Sequence, residues 1–544
     1  MNRADILIIG GGWSGILACK YAIEAGFGPI VLEKRESFGG VWRFSDNPAI
    51  VTVMKTTETT SSSTVTEMSD YFMPDEYGNF PKHDQVLEYL NSFGNKFRIW
   101  KHFRFNEEVI DVRKRDALWQ VTTNQDIYQS KFIIIASGVH QIPNLEPMYD
   151  IFSNFSGTLQ HSIQIKEIVE SYHGKNILVY GGGETASDII ELLADHANRL
   201  VMSIPNGQHF FQKRKKPISP FFDWFFVPGN YGEPLDKATS LLIRLISPPI
   251  KSKPGMAWGC RKTCGKSIFS YQGHGIPQWR SKNKFLHAFV NKNAAPVELA
   301  QKGRLIPKAG VKKVEGKSIT FVDGDVLEFD VVIACTGYRE DLSFLDVELN
   351  KEIQNLYKYI FNPYDETMAF AGLIRPVLLS IPGLAEQQIK SIMKVWTGDV
   401  RLPENADMIN AAKQERKYWD EFFKDSSRRI KNLVEGYAYT NDLFKTFGFY
   451  PNLKKLMLRN PKLLVYALTS PYHAAFSLLN NPECDRRVYR TLKKHTSFGW
   501  QTTPFGLVFT RLLQVDRISD CVANIKYRRQ LKDLKEKTNY RKPA

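Results

Sequence analysis

Two short glycine-rich segments, each entered from a run of apolar β-formers, constrain this chain more than any other feature. The first is Gly10-Gly-Gly12-Trp13-Ser14-Gly15, after Ala4-Asp-Ile-Leu-Ile-Ile9; the second is Gly181-Gly-Gly183-Glu184-Thr185-Ala186, after Asn176-Ile-Leu-Val-Tyr180. In such a strand–loop–helix unit the first glycine allows a tight turn out of the strand. The second removes a side chain, so that backbone N–H groups can approach a pyrophosphate, and the third lets helix and strand pack closely. The helix that begins there adds the positive end of its dipole. One loop implies one dinucleotide. Two imply two, and the economical reading is an enzyme that moves electrons from one carrier to the other.

The residues downstream of each loop separate the two sites. Pro29-Ile-Val-Leu-Glu33 reads as the second strand of the first βαβ unit. A carboxylate at that strand end accepts a ribose hydroxyl and repels a 2′-phosphate, so the first site is expected to take FAD or NAD. Gly39-Gly40-Val41-Trp42 comes next, with small residues that would let backbone pass near a flat cofactor. The second loop carries Ala186 at its third position, and the strand after its helix, Arg199-Leu-Val-Met-Ser203, ends without an acid. The basic run Lys213-Arg214-Lys-Lys216 comes soon after. A missing acid with nearby cations favours NADPH over NADH; the other reading of the run is a solvated surface loop.

On these residues the chain resembles the flavin-containing monooxygenases of the animal type, which use FAD and NADPH on one polypeptide. Glu33 through Trp42 fits the family's E-x5-G-G-x-W element, and Phe155-Ser-Gly157-Thr-Leu-Gln-His161 fits its F-x-G-x-x-x-H sequence. Cys335-Thr336-Gly337-Tyr338 fits its A-T-G-Y motif, and Ser69-Asp-Tyr-Phe-Met-Pro74 resembles the stretch on the flavin side. Three positions depart from the pattern: Ile165 stands where an aromatic is expected, Thr60 where an asparagine is, and Pro205 where a phosphate-reading arginine is. The resemblance implies hydride transfer from NADPH to FAD. Reduced flavin would then add O2 to give a C4a-hydroperoxyflavin, which oxygenates the nucleophilic nitrogen or sulfur of a small amine or sulfide. Thr60 is the candidate for a hydrogen bond to the peroxide, the alternative being a polar surface loop. His161 is the other candidate in the catalytic region, with a structural or domain-motion role favoured over acid–base work. A Baeyer–Villiger monooxygenase, an uncoupled NADPH oxidase and a binding protein that merely retains FAD are the rival readings.

The expected fold class is α/β, with two nested Rossmann-like dinucleotide-binding domains, an insertion and a helical C-terminal region. Residues 1–150 would begin the FAD-binding domain, and 151–330 would form the NADPH-binding domain with an insertion at about 207–296. Residues 331–440 would return to the FAD-binding domain and 441–544 would form a helical extension. With 544 residues the chain can bury two substantial cores. Net charge is +16, partly local, since residues 526–542 hold eight Lys/Arg against two Asp/Glu. No nucleic-acid motif accompanies the charge, so the alternatives are peripheral contact with an acidic membrane and a solvated helix. The first strand is expected to begin at once, so no secretory leader is expected, and no apolar run is long enough to suggest a bilayer span. The six cysteines lack paired zinc spacing, so no metal is expected. The expected location is cytoplasmic, with the face of the endoplasmic reticulum membrane as the peripheral alternative.

Overall fold

The computed structural model describes residues 2–210, 213, 234, 276–281, 288–345, 355–377, 379–423 and 432–495. Arg214, the basic segment 526–542 and most of the expected insertion at about 207–296 lie outside the described residues.

The first apolar run becomes β1 (Asn2–Ile9), and Ile6, Leu7 and Ile8 are wholly buried, as a central parallel strand covered on both faces requires. The first loop leads into α1 (Trp13–Glu24), which returns the chain to β2 (Pro29–Glu33), parallel to β1. The short α2 (Ser63–Thr66) lies in a hydroxyl-rich stretch further along. β3 (Phe103–Phe105) extends the sheet beyond β2, and a hairpin of β4 (Val109–Arg115) and β5 (Leu118–Thr123) leads to β6 (Ile127–Ile135), parallel to β1 on its other side.

The chain then crosses through β7 (Ile142–Pro143) into a second sheet. Its strands are β8 (Thr158–His161), β9 (Asn176–Tyr180), β10 (Arg199–Ser203) and β11 (Ile306–Lys308), with the second loop opening α3 (Glu184–Leu193) after β9. A small antiparallel sheet of β12 (Val311–Glu315), β13 (Ser318–Phe321) and β14 (Val326–Glu328) precedes β15 (Val331–Ala334), which inserts between β9 and β8. The resulting order is β11-β10-β9-β15-β8, all parallel.

The return crossing, β16 (Tyr338–Arg339), pairs antiparallel with β7, so the two linkers between the sheets are stitched together. β17 (Phe361–Asn362) and β18 (Asp365–Phe370) rejoin the first sheet beside β6 and complete the order β17-β18-β6-β1-β2-β3. Next comes α4 (Ile381–Trp396), capped by the Ser380 hydroxyl on the Gly383 N–H and packed on α1. Further helices end at α5 (Asp485–His495). Among the described residues no helix is long and apolar enough to cross a membrane.

Candidate functional site

Both loops leave the C-terminal ends of central strands, where open α/β sheets bind nucleotides. Their glycines fall into two groups. A Cβ at Gly10 would sit 2.6 Å from the Ala136 carbonyl oxygen, one at Gly15 would sit 1.8 Å from the Gly10 oxygen, and one at Gly181 would sit 2.5 Å from the Cys335 oxygen. Those three glycines are demanded by the packing of the protein on itself. Gly12 and Gly183 are not. Among the described residues, a Cβ at Gly12 would meet only Gly40 Cα at 3.6 Å and Gly40 N at 3.9 Å, and one at Gly183 would meet nothing within 4 Å. Both precede the first turn of a helix with ordinary extended backbone, φ −77° and φ −81°. The space kept open at these two positions fits a pyrophosphate brought in from outside. Beside the first loop, the Ser137 hydroxyl is buried without a hydrogen-bond partner among the described residues.

Glu33 lies at the end of β2 and is almost fully buried. One carboxylate oxygen accepts the Gly11 N–H at 2.6 Å and the other accepts the Arg35 N–H at 2.9 Å. Burial pushes its carboxyl above the usual range, against the two backbone hydrogen bonds. Glu33 thus holds the loop in shape as well as standing where a ribose would come. The Gly39–Trp42 turn folds onto the same loop: the Gly39 N–H donates to the Gly11 carbonyl at 3.0 Å, and Gly40 takes φ +54° as it passes Gly12. Arg35 clamps that turn from outside through the Gly40 and Arg43 carbonyls. Val41 accepts the Val53 N–H, and Ser14 faces Gly372, whose Cβ would come within 2.1 Å of the serine hydroxyl. Trp13 turns away from the open side of the loop. Its ring is buried against Tyr89 and Trp42.

At the second loop Ala186 is fully buried in the first turn of α3, while Glu184 and Thr185 beside it are half-exposed. The Glu184 carboxylate already complements the helix dipole there. Ser203 is wholly buried and donates to the Ala309 carbonyl at 3.2 Å, which draws its hydroxyl back into the sheet. Lys213 pairs with Glu58 at 2.5 Å and covers the Phe80 ring, so its ammonium is aimed at the first domain and not at the end of β10. Two of the expected phosphate-side contacts are therefore engaged elsewhere.

His161 closes β8 opposite Ala334 of β15 and is buried at the crossing of the two linkers. Its Nδ1 accepts the Ile163 N–H, and its ring meets Tyr338 edge-on at 5.4 Å. Burial holds the imidazole down at about 4, against a smaller effect of the Gly337 backbone, so it is neutral at pH 7. Thr336 donates its hydroxyl to the Asn144 carbonyl at 2.6 Å, and the Gly337 carbonyl accepts the Asn144 N–H. Thr336, Gly337 and His161 thus form the knot between the domains.

The stretch from Thr59 to Ser69 belongs to the first domain and meets the second through Ser61, which Lys292 contacts. Thr60 is half-buried; Thr59 and Ser61 are buried, and the Thr59 hydroxyl has no partner among the described residues. The stretch is anchored from behind. Glu67 accepts His473 Nε2 at 3.0 Å and His495 Nε2 at 2.6 Å on one oxygen, and the Met73 N–H on the other. Hydrogen bonds from the two imidazoles outweigh burial and hold Glu67 at about 2. Three buried ligand-type residues this close could suggest a metal. However, His473 Nδ1 accepts the Ala475 N–H, so the proton must sit on Nε2, which leaves no lone pair there for an ion. Glu67 could not be singled out in the sequence, because its partners lie some four hundred residues away. Lys292 is a second residue that the sequence did not announce; it reaches Ser61 from the second domain.

Two glycine-rich strand–loop–helix units, one on each of two sheets joined by a paired linker, fit an oxidoreductase that brings one dinucleotide to another. The family model described as Flavin-binding monooxygenase-like matches residues 3–483. Flavin-containing monooxygenase 2 of Homo sapiens is 28% identical over 486 residues, 86% of each chain. A 4-hydroxybenzoate brominase (decarboxylating) of Pseudoalteromonas luteoviolacea is 28% identical over 491 residues, covering 89% of this chain and 90% of its own. Among solved structures, S-allyl-L-cysteine S-oxygenase from Allium sativum is similar with a TM-score of 0.60 and 17% identity, covering 90% of this chain and 98% of that one. An open form of cyclohexanone monooxygenase is similar with a TM-score of 0.55 at 16% identity, covering 82% and 98%. This chain belongs to the flavin-binding monooxygenase-like family, oxidoreductases that work with FAD and NADPH.

Proposed function

We propose that this monooxygenase places one oxygen atom of O2 on a nucleophilic nitrogen or sulfur of a small amine or sulfide, at the expense of NADPH. The observation that carries the reading is the pair of glycines, Gly12 and Gly183, where among the described residues an added Cβ would meet no close contact. Residues 1–150 and 331–440 would hold FAD at the first loop, and 151–330 would hold NADPH at the second. When bound, FAD supplies the activation of O2. The protein's own part is to bind, orient and screen. Gly12 and Gly183 admit the two pyrophosphates, and Glu33 selects an unphosphorylated ribose. Neutral His161 fastens the linker crossing about which the domains adjust, and Thr60 offers a hydroxyl on the oxygen side.

The substrate test counts NADPH consumed, oxygenated product formed and H2O2 released with a tertiary amine, a thioether and a cyclic ketone. Product from the amine or thioether in near-stoichiometric ratio to NADPH supports the reading. Ester from the ketone alone would make it a Baeyer–Villiger enzyme, and peroxide with every acceptor would make it an oxidase. Binding of the basic segment 526–542 to an acidic membrane is tested by liposome flotation of a charge-neutralised variant. Flotation equal to that of the unmodified chain would remove the idea.

A further inference from the structure

Six lysines are buried among the described residues, and how each ammonium is satisfied separates one from the rest. Lys20 pairs with Asp70 and Glu24, Lys308 with Asp323 and Asp325, Lys358 with Asp442, and Lys390 with Glu386. Lys166 donates a short 2.6 Å bond to the Ile50 carbonyl and a second to the Thr52 hydroxyl. Lys292 is 9% exposed, and among the described residues its Nζ has only two long contacts to neutral oxygens: Ser61 Oγ at 3.3 Å and the Leu379 carbonyl at 3.4 Å. Among the described residues no carboxylate pairs with it. A charge taken out of water needs a counter-charge or a full set of strong hydrogen bonds, and this ammonium has neither.

Its direction is set by its neighbours. Asn291 is fully buried and donates to the Gly182 carbonyl at 3.0 Å and to Ser187 at 2.7 Å, and its own side chain accepts the Asn293 N–H. Lys292 is thereby held beside the second loop but reaches over to the first domain. It meets the hydroxyl stretch at Ser61 and the carbonyl of Leu379, a non-glycine residue held at φ +66° immediately before the cap of α4. Backbone in that region is strained and persists only where the surroundings enforce it. At Ser61 a lysine from the second domain thus meets the hydroxyl-rich stretch of the first.

We propose that Lys292 is a specificity-determining residue that pairs, where it meets Ser61 and Leu379, with a small monoanion: the carboxylate of an organic acid substrate, or a halide. The second nucleotide's phosphates are the weaker alternative, since the open backbone for them is at Gly183, and the Lys292 ammonium points away from that loop toward Ser61. The proposal rests on the reading of the first loop as the FAD site, because the flavin serves as the reporter.

The test uses the FAD-loaded oxidised enzyme, with flavin absorbance or calorimetry following titration with benzoate, with its neutral counterpart benzamide, and with bromide at constant ionic strength. Benzoate is expected to bind about tenfold or more tightly than benzamide, the size of one charge-assisted hydrogen bond. Lys292→Met is expected to erase that preference, and Lys292→Arg to keep most of it. Bromide that displaces benzoate from the unmodified enzyme identifies a general monoanion site; benzoate binding indifferent to bromide identifies a carboxylate site. A benzoate-to-benzamide ratio near one in the unmodified enzyme, or a ratio unchanged in Lys292→Met, overturns the proposal. Loss of NADPH affinity in Lys292→Met with that ratio unchanged would reassign the residue to the nucleotide. Each of these failures leaves oxygenation of amines or sulfides standing, because turnover with those neutral acceptors is measured separately.

Discussion

Substitution of Gly12 by alanine tests whether this glycine is kept for the ligand, as proposed, or for the fold. At Gly12 the backbone is extended, φ −77° and ψ −171°, which alanine adopts freely, and the added methyl would meet only Gly40 at ordinary contact distance. Alanine at a compatible position lowers the entropy of the unfolded chain and stabilises by about 0.4–1 kcal/mol. Its poorer fit at a helix N-cap offsets part of that gain. The FAD-free protein is therefore expected to unfold within about 1 kcal/mol of the unmodified chain. FAD binding should respond quite differently. The methyl occupies the path by which a pyrophosphate reaches the backbone N–H groups, and losing one hydrogen bond to a charged group costs about 1.5–3 kcal/mol. That corresponds to a dissociation constant raised about 10- to 150-fold. Gly15→Ala is the control. Its methyl would lie 1.8 Å from the Gly10 oxygen, so helix α1 must shift, and overpacking of that kind destabilises the FAD-free protein itself by about 1–3 kcal/mol or more. The assays are fluorescence titration of apoprotein with FAD and denaturant unfolding without it. Gly12→Ala with a FAD dissociation constant within about twofold of the original would refute the assignment of the first loop.

Gly183→Ala should keep its flavin colour and raise the NADPH concentration needed for half-maximal anaerobic flavin reduction by about tenfold; reduction at unchanged NADPH concentrations would clear Gly183 of a nucleotide role. Glu67→Ala leaves two buried imidazole donors without their acceptor, so loosening of the C-terminal helices by about 2–5 kcal/mol is expected, read as a lower unfolding midpoint and faster proteolysis between α4 and α5. His161 has a folded value of about 4, below the usual 6.5 of the unfolded chain, so the unfolded state takes up its proton first as pH falls. Its contribution is complete above about pH 6.5 and is lost between there and about pH 4, at most about 1.4 kcal/mol per pH unit. Unfolding of His161→Gln measured from pH 7 to 4.5 should show a correspondingly shallower acid slope, and an identical slope would show that His161 does not carry this linkage. Thr60→Ala should raise the H2O2 released per NADPH consumed; an unchanged ratio would remove Thr60 from the oxygen side.

The sequence by itself determined what local chemistry can specify. Runs such as Ile6–Ile9 and Ile133–Ile135, short, rich in isoleucine and followed by small residues, read as buried strands, and a glycine loop directly after such a run is legible from a few residues. The same holds for Glu33, whose role depends on its spacing from the loop. Tertiary structure decided everything that turns on direction. Trp13 is in the first loop yet points into the core; Ser203 ends the expected strand yet gives its hydroxyl to Ala309; Lys213 lies in the basic run yet reaches Glu58. It also decided which of the loop glycines the protein's own packing demands, since that depends on Ala136 and Cys335, far along the chain. Glu67 with its two histidines, and Lys292 against Ser61, arise only when segments hundreds of residues apart are folded together. Residue type and spacing report the backbone's intent over a few turns. Where a long side chain ends, and whether a charge finds its partner, is settled by packing.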